Sequence, residues 1–228
     1  TMFSNDEFRK FAIKDQGISS TTVDSFTSML NNYISPTIIE ERQMNVASMD
    51  VFSRLMMDRL LWVAGEVNDR MSTVVQAQLM FLDSVSDDDI TMHVDSPGGS
   101  VKSGLSIIDV MDYVKPDIVT INTGMAASMG SLILGAGTKG KRYSLRFSRT
   151  MLHQSSGGAV GNIQDARITM KEWENVNDTL FKLLGAYCGK TAKRVEKDAQ
   201  RDLWLNAEEA KKYGIIDDIV KSKREIKK

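Results

Sequence analysis

Cysteine, histidine and any imbalance of charge are what this 228-residue sequence has least of, and each shortage excludes something. A single cysteine, Cys188, cannot form an intrachain disulfide, and a reducing compartment is the natural expectation. No base lies near it in sequence, so Cys188 reads as a small packing residue rather than a nucleophile. The two histidines, His93 and His153, stand far apart and there is no C-x-x-C, so no metal site is expected. A formal net charge of −1 offers no bulk attraction to nucleic acid or to an anionic membrane. No run approaches the roughly 18 apolar residues of a membrane span. The N-terminal stretch lacks a secretory apolar segment, and Asp6, Glu7 and Asp15 among its basic residues are unlike a transit peptide. A cytoplasmic location is the expectation these absences leave.

What is present is a core. Hydrophobic residues make up 42% of the chain, enough for one substantial domain. Residues 1–33 are polar and irregular and read as an N-terminal arm or propeptide; residues 34–228 read as the domain. Pro36 opens an extended run at Thr37–Glu40. From Asp50 onward, apolar spacing predicts a helix over 50–60, a strand over 61–65 and a helix over 69–85. A strand over 90–94, a helix over 101–114 and a strand over 118–121 follow, with Ser128 opening the next helix. Repeated β-α-β units of this kind imply an α/β fold with a parallel sheet covered by helices. Strands are expected again at 142–145, 150–154 and 215–220, and a short helix near 191–199. Asn206 and Glu209 have capping-box spacing, with Gly214 suited to the C-terminal cap. The helix over 163–187 is too long to stay inside a compact α/β unit, so part of it should project.

Gly124-Met125-Ala126-Ala127-Ser128-Met129-Gly130 lies between the strand at 118–121 and a helix. Such a turn lifts the Ser128 hydroxyl clear of the backbone and aims free helix N-terminal N–H groups at the same place. A serine that attacks a carbonyl needs both, although small residues before a helix also serve close packing alone. Asp95-Ser96-Pro97-Gly98-Gly99-Ser100 follows the neighbouring strand. It reads either as an ordinary tight turn or as a second source of outward-facing N–H groups. Sites in open parallel sheets form beyond the C-terminal strand ends, where both stretches lie. A serine nucleophile needs a base, and His153, at a strand end beside the glycine-rich segment 155–161, is the better placed histidine. The base needs an orienting acid. Asp198 and Asp202 both qualify, and spacing does not choose between them.

Five stretches in order resemble the ClpP family, the self-compartmentalised serine peptidases of the Clp protease. They are Asp95–Gly99, Gly124–Gly130, Met151-Leu152-His153-Gln154, Arg201-Asp202-Leu203-Trp204-Leu205 and Ala207-Glu208-Glu209-Ala210, and the likeness extends over residues 34–221. The resemblance implies a ClpP/crotonase-like fold with a projecting handle at 154–184. It implies Ser128 as nucleophile, His153 as base and Asp202 rather than Asp198 as the acid. The oxyanion donors it implies are the N–H groups of Gly99 and Met129. Gly98, Gly99, Gly157 and Gly158 are implied to hold an extended peptide. It further implies two stacked heptameric rings, fed unfolded polypeptide by an AAA+ unfoldase that uses ATP, with no cofactor in this subunit.

The sequence departs from the family in places. Gln200 stands where an acid usually precedes Arg201, a pair implied to link the two rings. Thr91 and His93 replace aromatics of the implied docking pocket. An accessible His93, titrating near pH 6.5, would make docking pH-sensitive. Two other readings are a crotonase-like acyl-CoA enzyme, which shares the paired N–H oxyanion hole, and a non-catalytic ring subunit that scaffolds active copies.

Overall fold

The computed structural model describes residues 14, 20, 37–42, 45–157 and 161–226, and their contacts divide Thr1–Arg54 from Leu55–Lys228. The expected arm, 1–33, lies outside the described residues except for positions 14 and 20. In the first unit, β1 (Thr37–Arg42) pairs antiparallel with β2 (Asn45–Asp50), Thr37 opposite Asp50. The run after Pro36 was expected; the returning strand was not. Helix α1 (Val51–Met57) starts directly after it. The Asp50 carboxylate accepts from the N–H groups of Phe52 at 3.0 Å and Ser53 at 3.1 Å, the hydrogen bonding of an N-cap.

The second unit is built on a seven-stranded sheet. Its strands are β3 (Leu60–Val67), β4 (Ile90–Gly99), β5 (Ile118–Ala127), β6 (Arg142–Leu145), β7 (Arg149–Leu152), β8 (Leu203–Asn206) and β9 (Asp218–Val220). The order β3-β4-β5-β6-β9 is parallel throughout. Beyond β6, the edge of β5 also takes β7 in parallel, and β8 pairs antiparallel with β7. Helices α2 (Asp69–Val85), α3 (Val101–Tyr113) and α4 (Met129–Gly135) are the crossovers, as the β-α-β pattern predicts. Ser72, Val75, Leu79 and Leu82 give α2 a buried stripe at helical spacing. Asn68 caps it, its side chain accepting from the Met71 N–H at 2.9 Å. In α3 the buried stripe is Ser103, Gly104, Ile107, Ile108 and Met111, so Val101 and Leu105 sit at its margin rather than in it.

Two strands outrun the sequence expectation. β4 continues through Gly99 and β5 through Ala127, each beyond a shift in register: Val94 faces Asn122, but Ser96 faces Ala126. The Asp95–Gly99 stretch is therefore an irregular strand end and not a tight turn, because backbone pairing persists where the apolar alternation has stopped. β9 is shorter than expected. Ile215 and Ile216 are buried ahead of it, and Asp217 N–H donates to the Arg142 carbonyl at 2.7 Å.

After β7 comes α5 (Ile163–Cys188), then α6 (Ala192–Asp198) and α7 (Ala207–Tyr213). The five buried residues of α5, Leu180, Phe181, Leu184, Gly185 and Cys188, all belong to its last third. Ile163 and Ile168, in its first turns, are 72% and 69% exposed. The helix thus packs at one end and stands off the core at the other. Burial pushes the Cys188 thiol up to about 11, which suits a packing residue and leaves no thiolate to attack anything. The capping box at Asn206 and Glu209 and the left-handed cap at Gly214 are present as read.

Arg142 fastens this half of the sheet. Its side chain is 1% exposed and donates to the carbonyls of Tyr187 and Gly214 and to both oxygens of Asp217. Burial alone would raise the Asp217 carboxyl, but the Arg142 guanidinium and the N–H groups of Gly140 and Arg142 hold it below the ordinary carboxylate value. A depressed carboxyl stabilises the fold above its unfolded value, about pH 4, and that stability is lost as pH falls through the folded value. Arg142→Met is expected to cost about 3–5 kcal/mol, because Asp217 loses its guanidinium partner and the carbonyls of Gly135, Tyr187 and Gly214 lose a donor. The midpoint of guanidinium denaturation measures it, and in the variant the loss of stability between about pH 5 and 3 should flatten.

Candidate active site

β5 ends in Ala127, and α4 begins at Met129. Ser128, between them, has φ 53° and ψ −123°, a backbone conformation that L-residues other than glycine rarely adopt. Two contacts enforce it. The Ser128 N–H donates to the Met151 carbonyl at 3.0 Å, extending the β5–β7 pairing by one residue. On the opposite side, Gly98 lies so close that a Cβ there would stand 2.6 Å from the Ser128 Cβ and 2.8 Å from the Ala127 carbonyl oxygen. The strained turn is held from both flanks.

His153 directly follows β7. Its Nε2 is 2.8 Å from the Ser128 Oγ, and its Nδ1 is 3.3 Å from Oδ1 of Asp202. The acid's position is set by register. Leu152 pairs with Leu203 across β7 and β8, so the next residues outward, His153 and Asp202, face one another. Asp198 is engaged elsewhere, accepting from Arg194 Nε at 2.9 Å and from the Tyr213 hydroxyl at 3.2 Å. With the proton on Nδ1, toward Asp202, Nε2 accepts from the serine hydroxyl. In that state the serine can lose its proton to the imidazole as it attacks.

Gly99 follows Gly98 at the end of β4, opposite Val67. A Cβ at Gly99 would lie 2.3 Å from the Val67 carbonyl oxygen. The Gly98–Gly99 dipeptide is thereby wedged between β3 and the Ser128 turn, and an imagined Gly98 Cβ is also 2.9 Å from the Met129 nitrogen. Met129, first in its helix, has an N–H with no intrahelical acceptor. The N–H groups of Gly99 and Met129 thus belong to segments packed on each other beside Ser128. Gly157 lies against the indole of Trp173 in α5, leaving no room for a side chain. Gly158 lies outside the described residues. Beside Ser155 and Ser156 a cavity of about 440 Å³ opens between α3 and α5, walled by Val101, Leu105, Trp173 and Val176. Gln200 and Arg201 are exposed in the loop that carries Asp202.

Three residues whose side chains sequence reasoning gave no role build this geometry. The Asp95 carboxylate accepts from the Met125 N–H at 2.9 Å. The fully buried Ser96 hydroxyl donates to the Gly65 carbonyl at 2.6 Å and accepts from the Gly98 N–H at 3.1 Å. Asn122, also fully buried, donates to the Arg149 carbonyl at 2.9 Å and so ties β7 to β5. An asparagine directly after Val119–Ile121, continuing the strand, was the one visible signal: a buried amide implies partners.

These observations describe a serine hydroxyl, an imidazole and a carboxylate in hydrogen-bonding sequence at a strained strand-to-helix turn. The family model for the Clp protease matches residues 41–223. The chain belongs to the Clp protease family. It is 48% identical to the ATP-dependent Clp protease proteolytic subunit of Porphyromonas gingivalis, over 96% of this chain and 99% of that protein. It is 44% identical to the subunits of that name from Bacteroides fragilis and Bacteroides thetaiotaomicron, in each case over 94% of the chain and 98% of the relative. A Clp protease chain is a serine-type peptidase, and the crotonase-like acyl-CoA reading falls with that assignment.

His93 differs from expectation. It is half-buried, stacked on Trp62 with ring centroids 4.3 Å apart, and it lines an apolar cavity with Leu60, Thr91, Val119 and Ile121. Burial, and then the charge of Lys223, hold its imidazole below the ordinary histidine value. It is not an accessible group titrating near pH 6.5, so any pH response it carries belongs to more acidic conditions.

The packing of Gly98 on the serine turn predicts a sharp steric effect. Gly98→Ala should lower kcat/KM on a short peptide by about 100-fold, since its φ of 94° and the 2.6 Å approach both oppose a side chain. Peptide hydrolysis beside circular dichroism checks this, and activity near wild type would show that the turn tolerates displacement.

Proposed function

We propose that Ser128 is the nucleophile, His153 the general base and then acid, and Asp202 the group that fixes the imidazole tautomer. The observation that carries the reading is the chain of contacts from Ser128 Oγ to His153 Nε2 and from His153 Nδ1 to Asp202. Ser128 Oγ attacks the peptide carbonyl as His153 takes its proton. The oxyanion is met by the N–H groups of Gly99 and Met129. His153 returns the proton to the departing amine, leaving an acyl-enzyme, and then activates a water that releases the acid. The substrate backbone runs extended beside Gly98 and Gly99 on one side and Gly157 and Gly158 on the other. Side chains enter the cavity below Trp173, whose apolar walls suit hydrophobic groups.

We further infer that the subunit works in the cytoplasm, within two stacked heptameric rings. Unfolded polypeptide reaches it from an AAA+ unfoldase that uses ATP, and no cofactor is held by this subunit. The relatives' own name, ATP-dependent, supports an ATPase partner. The exposed first turns of α5 support its role as the handle between rings.

Ser128→Ala should abolish hydrolysis with assembly intact. His153→Ala should cost a comparable amount, on the order of 10⁶ in kcat by analogy with another serine peptidase series. Asp202→Asn should lose about 10⁴ by presenting the wrong tautomer, whereas Asp198→Asn should not. Fluorophosphonate labelling mapped by mass spectrometry should find Ser128. Its absence from Ser128 in an assembled wild-type preparation would favour the scaffold reading instead.

Arg201 and Gln200 are assigned to the contact between rings, with a neutral amide where the family has an acid. A neutral partner binds a guanidinium more weakly than a carboxylate. Arg201→Ala should give single rings of low activity, although the three catalytic residues are untouched. Gln200→Glu should strengthen double rings at low salt, a gain that shrinks as salt rises. Sedimentation velocity across a salt series, alongside peptide cleavage, reads both, and fully active single rings would separate stacking from catalysis.

A further inference from the structure

The segment that carries His153 leaves the sheet at once. β7 ends at Leu152, and residues 153–157 have no regular structure of their own. Two clamps hold this stretch. On one side the Gln154 N–H donates to the Ala199 carbonyl at 3.2 Å. On the other, Asn177 of α5 reaches across, and its Oδ1 accepts twice from Ser155: from the backbone N–H at 3.1 Å and from the hydroxyl at 3.1 Å. The backbone donor fixes the orientation of the amide, because an N–H can be met only by the carbonyl oxygen. Both groups are half-buried, so the bonds are sheltered from competing water.

We propose that Asn177 is a positioning residue for the peptidase reaction, acting through Ser155 to hold the His153 imidazole at the Ser128 hydroxyl. The inference rests on the catalytic reading of Ser128 and His153. The clamp at Gln154 restrains the segment only from the α6 side. With Asn177 absent, Ser155 keeps no hydrogen bond to α5, and the chain between Gln154 and Gly157, which packs on Trp173, gains freedom to shift. Serine attack needs donor and acceptor within hydrogen-bond reach in a narrow geometry, and small misplacement costs rate steeply. Asn177 makes no contact with substrate or with the reacting atoms. Its effect therefore belongs in kcat rather than in KM.

The chemistry separates this role from simple packing. Asn177 serves only as an acceptor for Ser155, so Asn177→Asp keeps the function and Asn177→Leu, of similar size, removes it. In assembled full-length protein, Asn177→Leu should slow fluorophosphonate labelling of Ser128 and lower kcat by about tenfold, with KM changed much less. Asn177→Asp should recover most of that loss. Ser155→Ala removes one of the two donors without touching α5, and should give a smaller fall in the same two quantities. It keeps the test valid if Asn177→Leu does not assemble. Labelling of the wild-type protein anywhere but Ser128 would overturn the catalytic reading itself. Wild-type labelling at Ser128 together with unaltered rates in Asn177→Leu and Ser155→Ala would overturn the positioning role alone. Equal losses in the Leu and Asp variants would do the same, because they would show that volume and not the acceptor matters.

Discussion

The site depends on how β7 is held. This four-residue strand has β5 on one side in parallel and β8 on the other in antiparallel pairing. The first pairing sets Ser128 beside Leu152, because Ala127 faces Met151 and the Ser128 N–H continues the ladder. The second sets Asp202 beyond Leu203 and therefore across from His153. Side chains in a strand alternate, so a slip of one residue in either register would turn the imidazole to the other face. Ser128, His153 and Asp202 come from three separate stretches, and a single short strand brings them into line.

That strand is secured by buried polar groups as well as by the burial of Met151 and Leu152. Asn122 reaches the Arg149 carbonyl, and the Ser148 hydroxyl donates to the Asn122 carbonyl at 2.8 Å. Such groups stabilise little when fully paired and cost much when one partner is lost, so they enforce one arrangement rather than a range. The same holds for Arg142, whose guanidinium links the ends of α5 and α7 to the start of β9. The fully buried residues of helix α5 all lie toward that end.

Much of this was legible in the sequence. The periodic helices, above all 69–85 and 163–188, were readable because an amphipathic stripe repeats over many turns. Ser128 and His153 were readable from the punctuation around them. The sequence was less informative where structure depends on partners distant along the chain. β8, only Leu203–Asn206, is too short for alternation to register, and without it Asp198 and Asp202 were equivalent. What divides them is that Arg194 and Tyr213 engage one carboxylate while strand register aims the other. β4 and β5 were read short because their ends are glycine, alanine and polar residues, which resemble turns when taken alone. The loss of apolar alternation marks where small and polar residues take over the buried positions, not where the pairing stops.

The small residues around Ser128 admit a packing explanation and a catalytic one, and in this fold the two coincide. Gly98 has no room for a Cβ because Ser128 is there; Gly124 has none because the Asp95 carboxylate is there, 2.6 Å from where it would be. Gly130 presses on the Ser96 carbonyl oxygen, which an added Cβ would approach to 2.8 Å. Each contact joins the end of β4 to the end of β5 or the start of α4. Two backbone N–H groups can bracket one oxyanion only if the segments that carry them nearly touch. Side chains at these positions would part Gly99 from Met129 before they altered any catalytic group. On the proposed reading, the close packing is the means by which an oxyanion site is made from main chain alone, and it accounts for the residues of least bulk that surround the serine on both strands.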